Sequence, residues 1–312
     1  MTEGRIRALF HKIIHAIAKP AKKAHTANEI NNGDTLQEIL RWSRFSAQKH
    51  SESLKMQFLS YWEEEMKKPR NADPKRLFRH GFKIYSQNDE DGIIQEIFRR
   101  IGVGDRRFVE FGVQTGVECN TAKLLVEGWR GLWIEANAQS ANQIRVGFAD
   151  FLESGKLRLM EELVSAENIN ALLDQAGFVG SIDLISIDID FNDYWVWKAI
   201  EAAQPRVVVI EYNASLRPPL SLVTPYSPAR GWTGGNYFGA SLEALVRLAS
   251  AKGYRIVGCS FAGVNAFFVR EDLCGELFLE PATAEEHYEP PRYFSNVMLS
   301  GHSGRPGPYL EV

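Results

Sequence analysis

The chain is poor in the residues and runs that would mark several classes of protein. Its 312 residues include only three cysteines, Cys119, Cys259 and Cys274, an odd number without close pairing. That excludes a disulfide framework and a zinc site of the paired-cysteine kind. Cys119 reads as a small packing residue. No apolar run approaches the roughly 20 residues that a membrane-spanning helix needs. The formal net charge is −3, so bulk charge offers no argument for nucleic acid as a partner. Internal repeats, low-complexity tracts and the G-x-G-x-x-G dinucleotide fingerprint are also missing. What remains is ordinary for a soluble globular protein, with 45% hydrophobic and 24% charged residues.

The pattern divides the chain into three parts. Residues 1–75 read as a helical N-terminal extension. Leu9, Phe10, Ile13, Ile14 and Ile17 recur at helical spacing, interrupted by His11, Lys12 and His15, which suits an amphipathic helix better than a signal peptide core. Two uses stay open for it. One is an oligomer or interdomain contact, in keeping with a homo-oligomer. The other is peripheral attachment to the inner membrane face of a cytoplasmic protein, through Arg5, Arg7, Lys12, Lys19, Lys22 and Lys23. Pro20 ends this helix, His25–Asp34 reads as a linker, and Thr35 to about Lys68 forms a second helical region that Pro69–Pro74 breaks.

Residues 76–279 alternate between β-rich runs and helical stretches. The runs are Phe108–Phe111, Gly131–Ile134, Leu157–Met160, Ile182–Ile187, Val207–Ile210, Tyr254–Cys259 and Ala266–Val269. Near-continuous Val/Ile/Leu runs suit strands buried on both faces of a parallel sheet, and the alternation predicts an α/β doubly wound fold. Only Ser260–Asn265 separates the last two runs, too short for a parallel crossover, so that pair is expected to be antiparallel. A helix is expected at about Ala240–Ala251. Residues 280–312 read as a Pro- and Gly-rich tail, in which His287 and His302 are solvent-exposed or structural rather than catalytic.

The segment Phe108–Gly116 reads Phe-Val-Glu-Phe-Gly-Val-Gln-Thr-Gly, a strand running through a glycine turn toward a helix starting near Glu118. Gly112 and Gly116 let the backbone pass close to a ligand. Glu110 at the strand end disfavours a diphosphate and suits the ammonium of a methionine-type group. Glu135 follows the next strand at the place where an acidic residue accepts hydrogen bonds from ribose hydroxyls. Glu161, Glu162 and Leu163 follow the third strand, placed either for adenine contacts or as a solvated helix cap. Upstream, Tyr85–Gly92 is a dense polar stretch before a helix at Ile93–Arg100.

A parallel sheet finished by a reversed strand resembles the Rossmann-like class I fold of S-adenosylmethionine (SAM)-dependent methyltransferases. The stretch from Tyr85 through Gly116, with Glu118, Asn120 and Thr121, resembles FkbM-like members of that group over about residues 80–272. It departs from the commoner form at Gln114, where a glycine is usual. The resemblance implies SAM as cofactor, with Ser86, Gln87 and Asp91 bordering its pocket.

Two further strand ends carry carboxylates. The fourth leads into Asp188, Asp190 and Asp193, and the fifth into Glu211, Tyr212 and Asn213. Ligands bind outside the carboxyl ends of strands in such sheets, so these groups should converge. Carboxylates held together repel unless a proton or cation intervenes, and a hard divalent ion such as Mg²⁺ is one solution. They otherwise cap helices and contact the cofactor only, a reading that suits Asp193 best. The arrangement resembles macrocin-type sugar O-methyltransferases. That likeness implies Asp188, Glu211 and Asn213 as metal ligands and Asp190 as base, although Tyr212 stands between residues that are usually consecutive. Pro218–Phe238 is a long insertion; Arg217 just before it and Arg230, Trp232, Asn236 and Tyr237 within it suit a sugar or glycoconjugate acceptor, or an oligomer contact. The competing readings are a nucleotide or nucleotide-sugar dependent enzyme on the same sheet, and a non-catalytic interaction protein that keeps the fold.

Overall fold

A computed structural model describes residues 59–292 except 229, residues 302 and 307–312, and scattered positions between 42 and 57. The chain divides into two units, Met1–Met56 and Gln57–Val312. The first amphipathic helix and the linker lie outside the described residues. Every described position from 42 to 67 is helical, in line with the second helical region.

The second unit is built on a seven-stranded sheet. In chain order its elements are α1 (Glu90–Ile101), β1 (Arg107–Phe111), α2 (Ala122–Val126), β2 (Arg130–Ile134), α3 (Ala138–Gly147), α4 (Ala149–Glu153), β3 (Leu157–Met160), α5 (Ile169–Ala176), β4 (Gly180–Ile187), α6 (Asp193–Ala199) and β5 (Ala203–Glu211). There follow β6 (Leu222–Val223), α7 (Leu242–Ala251), β7 (Tyr254–Cys259), β8 (Asn265–Arg270), α8 (Glu271–Cys274), α9 (Ala284–His287) and β9 (Leu310–Glu311). The strand order is β3-β2-β1-β4-β5-β8-β7. The first five strands are parallel, and β8 lies antiparallel to both β5 and β7. This is the Rossmann-like sheet with one reversed strand that the spacing of the last two runs predicts.

The apolar runs make this sheet because both of its faces are covered. Val109, Phe111, Ile185, Ile187, Val208 and Ile210 enter one core, with Trp197 and Leu245 from the helices. Their neighbours Phe108, Leu184, Val207 and Val209 alternate into the other core, with Ile93, Ile97 and Leu125. Strand order reverses between β1 and β4, which opens a crevice at their carboxyl ends.

Three details differ from the sequence reading. The helix expected near Glu118 starts at Ala122, because the backbone N–H groups of Asn120 and Thr121 donate to the Glu110 carboxylate before the helix begins. The helix after the insertion starts at Leu242, where the Ser241 side chain caps it by accepting from Ala244 N–H. His287 is buried, which leaves the structural reading, and burial holds its pKa down at about 3.

The tail and the insertion brace one another. β6 within the insertion pairs with β9 at the chain's end, Val312 N–H donates to Ser221 O, and Tyr237 Oη donates to Pro308 O. A second clasp joins residues 70–76 to 286–289. Arg70 donates to the carbonyls of Glu286 and Tyr288, and Arg76 pairs with the Glu286 carboxylate. No helix among the described residues is long and apolar enough to cross a membrane.

The tightest backbone approach in the sheet lies at Gly112, just past β1. Its φ is +72°, and a Cβ there would stand 1.8 Å from the carbonyl oxygen of Asp188, just past β4. Gly128 has φ +86° with nothing within 4 Å of that position. Gly128→Ala should therefore cost only the left-handed strain, about 1–2 kcal/mol. Gly112→Ala should cost about 2–3 kcal/mol more, since backbone has to move. Urea unfolding of the two variants measures the gap, and equal losses would contradict the close approach.

Candidate functional site

Beyond the carboxyl ends of β1, β2 and β4 the surface sinks into a cleft with two lobes that share Gly112, Gln114 and Asp188. The first lobe, about 210 Å³, is lined on one side by Glu135, Glu162 and Val164 and on the other by Asp190, Asn192 and Arg230. The second, about 290 Å³, is lined by Gln87, Glu110, Glu118, Asn120 and Asn265. Arg230 is the one Lys or Arg lining either lobe among the described residues.

Two carboxylates shape the turn between the lobes. Glu110 is buried at the end of β1, and its oxygens accept from Asn120 N–H at 2.8 Å, Thr121 N–H at 3.0 Å and Thr121 Oγ1 at 2.5 Å. Thr121 Oγ1 in turn accepts from Trp133 Nε1. Burial raises the Glu110 pKa, and these donors offset part of the rise. Glu135, after β2, accepts from Gln114 N–H and from Asn137 N–H, each at 2.7 Å. Gln114 stands at φ +49°, a left-handed position usually left to glycine, and the bond to Glu135 holds it there. Gly116 has no room for a side chain, since a Cβ would meet the rings of Trp133 and Phe148 within 2.8 Å.

The carboxylates of Asp188 and Asp190, past β4, meet that of Glu211, the last residue of β5, which lines neither lobe. Oxygen atoms of Asp188, Asp190 and Glu211 all lie within 4.8 Å of one another. Burial holds the pKa of Asp188 and Glu211 well above the usual carboxylate range; the charges of Asp190 and Asp193 add to both shifts, and that of Asp188 adds to the Glu211 shift. Asp190 is the exposed member, with a pKa raised by desolvation and by Glu135. Its φ of +66° is one that Asp tolerates better than most residues. Glu211 Oε2 is buried and finds no hydrogen-bond partner among the described residues.

Not every residue singled out from sequence lines the cleft. Gln87, Glu110, Gly112, Glu135, Glu162, Asp188, Asp190 and Arg230 do. Ser86, Asp91 and Thr121 stand behind it. Asp91 accepts from the N–H groups of Ile84, Tyr85 and Ser86, and Ser86 Oγ accepts from Asp91 N–H, so the pair folds the loop that presents Gln87. Asp193 is buried, and burial raises its pKa to about 7, while its Oδ1 accepts from Ile189 N–H and braces the loop carrying Asp190. Asn213 stands apart from the triad's chemistry. Its Nδ2 donates to Asn236 O and Phe238 O, and its Oδ1 accepts from Ser215 N–H, so the amide is spent on the insertion.

In the insertion, the Arg230 guanidinium lies 4.8 Å from the Phe191 ring and 5.1 Å from the Tyr237 ring. Tyr237 is buried under the tail, Trp232 Nε1 donates to Gly235 O, and Asn236 O accepts from Tyr309 Oη. Arg217 pairs with Tyr288, away from both lobes. Sequence reading missed Asn265, which opens β8 and lines the second lobe, and Glu90, to which Asn265 Nδ2 donates. A polar residue heading an otherwise apolar run was the available signal.

No protein-family model and no curated protein matches the chain. Among solved structures it is similar to an O-methyltransferase from Bacillus cereus in complex with S-adenosylhomocysteine (SAH), at 15% identity and TM-score 0.39, over 62% of this chain and 82% of that one. It is similar also to the N-terminal domain of EvdMO1 with SAH bound, at 15% identity and TM-score 0.37, over 66% and 94%. A third is a TehB-like SAM-dependent methyltransferase from Corynebacterium glutamicum, at 12% identity and TM-score 0.35, over 57% and 86%.

Asp89, next to Glu90, gives this region a pH signature. Burial and the Glu90 charge raise its pKa to about 8, although its Oδ2 accepts from Phe261 N–H. The native pKa lies above the unfolded value of about 3.9, so the native chain binds more protons between about pH 4 and pH 8. Its contribution to stability is therefore lost as pH rises through that window. Asp89→Asn keeps an oxygen for Phe261 N–H and removes the titration. Its melting temperature should fall less steeply than that of the wild type between about pH 5 and pH 8, and equal slopes would count against the assignment.

Proposed function

We propose that the chain is a SAM-dependent methyltransferase acting on a hydroxyl of a sugar or glycoconjugate. One observation carries this reading: two lobes meet over Gly112 and Asp188, with Glu135 in one, Gln87 and Glu110 in the other, and an Asp188 oxygen within 4.8 Å of oxygens of Asp190 and Glu211. A nucleoside joined through sulfur to an amino acid has that shape. The ribose diol faces Glu135, whose oxygens keep a lone pair each beyond their two backbone donors. The methionyl ammonium faces the lobe of Glu110 and Asn265, which no Lys or Arg lines among the described residues. The sulfonium then lies where the lobes meet, beside Asp188.

Methyl transfer asks for a nucleophile in line with the sulfur–carbon bond and a group to take its proton. The acceptor oxygen forms the new bond to the methyl carbon, the sulfur keeps the electron pair of the bond that breaks, and Asp190 takes the hydroxyl proton. Asp190 suits the role because it is exposed at the acceptor side and its raised pKa gives it more basicity than an ordinary carboxylate. Arg230, flat on Phe191 and Tyr237, lies on the acceptor's path.

The donor set also fits a hard divalent ion such as Mg²⁺. Three carboxylate oxygens stand within 4.8 Å of one another, and Glu211 Oε2 is buried without a partner. Asp188, Asp190 and Glu211 would hold it, and its chemistry there would be to lower the proton affinity of an acceptor oxygen. The amide once expected from Asn213 is not part of this set.

Calorimetry with SAH tests the cofactor half. Saturable binding is expected, and none up to about 1 mM, equivalent to less than about 4 kcal/mol of binding energy, would sink the reading. NAD in the same cell should give no heat. Asp190→Asn should keep its SAH affinity and lose about 10²- to 10⁴-fold in turnover across a glycan panel followed by SAH release. Full turnover in that variant would remove Asp190 as the base.

A further inference from the structure

Asn265 stands directly opposite Glu211 across the β5–β8 ladder, so the two side chains leave the sheet on one face. It is 3% exposed. Its amide is oriented by its neighbours: Nδ2 donates to Glu90 Oε1 at 3.1 Å, and Glu90 is held by Asn88 N–H at 2.8 Å. With the NH₂ donating to Glu90, the amide oxygen faces away from it. Asn265 lines the lobe that Asp188 also lines, and its Oδ1 is buried without a hydrogen-bond partner among the described residues. Glu211 Oε2, on the adjacent strand, is in the same state. Two unpartnered buried acceptors therefore stand on paired residues at one face of the sheet, and one of them, Glu211, belongs to the carboxylate group with Asp188 and Asp190.

A protein seldom leaves buried acceptors unsatisfied without a use for them. Another carboxylate at position 265 would add repulsion to a group that already holds three. An amide oxygen adds a ligand atom without adding charge.

We infer that Asn265 Oδ1 is a fourth oxygen ligand, with the carboxylates of Asp188, Asp190 and Glu211, for a hard divalent cation. The inference rests on the metal-assisted reading of the cleft and replaces the expected ligand Asn213 with a residue from the reversed strand. Glu90 is the positioning residue, since it fixes which end of the amide faces the ion.

Mn²⁺ titrated into the full chain tests this, followed by the loss of the free-ion paramagnetic resonance signal, with SAH affinity measured in parallel. Wild type should bind Mn²⁺. Asn265→Ala should weaken it about 10- to 100-fold, the range seen even for groups that only support a metal ligand. SAH binding that is still detectable in the variant reports that it is folded. Glu90 is not stranded in that variant, because Asn88 Nδ2 still reaches its Oε1 at 3.3 Å.

Unchanged Mn²⁺ affinity in Asn265→Ala overturns the inference. If wild type binds SAH but not Mn²⁺, the inference and the metal reading fall while methyl transfer stands. If it binds neither, the proposed function falls too. A measurement on the wild type alone guards against a variant that does not fold. With asparagine side chains labelled, bound Mn²⁺ should broaden the Asn265 amide resonance beyond detection, and a sharp resonance at saturation refutes ligation.

Discussion

The close approach of Gly112 to the Asp188 carbonyl is the constraint on which the site depends. A Cβ at 112 would lie 1.8 Å from that oxygen, so the loops leaving β1 and β4 can touch only through a glycine. Their contact lies where the two lobes meet, since both lobes are lined by Gly112 and Asp188. It also sets what lies on either side. Glu110 is two residues before Gly112 on β1, Glu135 reaches Gln114 two residues after it, and Asp188 supplies the other wall. Opening this contact would separate the groups that the proposed cofactor has to meet at once.

The acidic residues around the cleft divide into two physical kinds. Glu110, Glu135, Asp91 and Asp193 spend oxygens on backbone N–H groups of the loops they support. Their charge is met by donors that the fold itself supplies, in the manner of helix caps. Asp188, Asp190 and Glu211 have few such donors, and burial raises the pKa of each, with the Asp190 charge adding to the shifts of Asp188 and Glu211. Burying uncompensated carboxylates costs stability, and a fold keeps such a group where a ligand or a reaction uses it. The first kind builds the loops around the cleft, and the second is the set on which the proposed reaction draws.

That division explains what the sequence could disclose. The sheet was legible because each strand is an apolar run, and the reversed β8 followed from the six residues left between the last two runs. Gly112, Glu110 and Glu135 were legible because their spacing fixes their place at strand ends. Spacing does not say how a carboxylate's oxygens are used, so Ser86, Asp91 and Thr121 read as pocket residues although they stand behind it. Asn213 was misjudged for a related reason. Two residues past a strand end the chain has already turned, and its amide went to the carbonyls of the insertion. Asn265 became visible only when the antiparallel register set it opposite Glu211, a relation between residues 54 positions apart in the chain.

Charge gives the carboxylate cluster a further part in the proposed reaction. A sulfonium is positive and the thioether product is neutral, so positive charge leaves the sulfur as the methyl transfers. Bare carboxylates beside it would hold the reactant more tightly than the transition state and slow the reaction. The raised pKa values of Asp188 and Glu211 show that burial already disfavours three full negative charges there. A proton shared by Asp188 and Glu211 reduces that ground-state hold and leaves Asp190, the member open to solvent, basic enough to take the acceptor's proton; a divalent ion held by all three would reduce it too and would itself lower the proton affinity of the acceptor oxygen. Neutralising the half-buried pair by a proton while leaving the exposed carboxylate active is one way to meet both needs, and the unequal exposure of the three residues suits it.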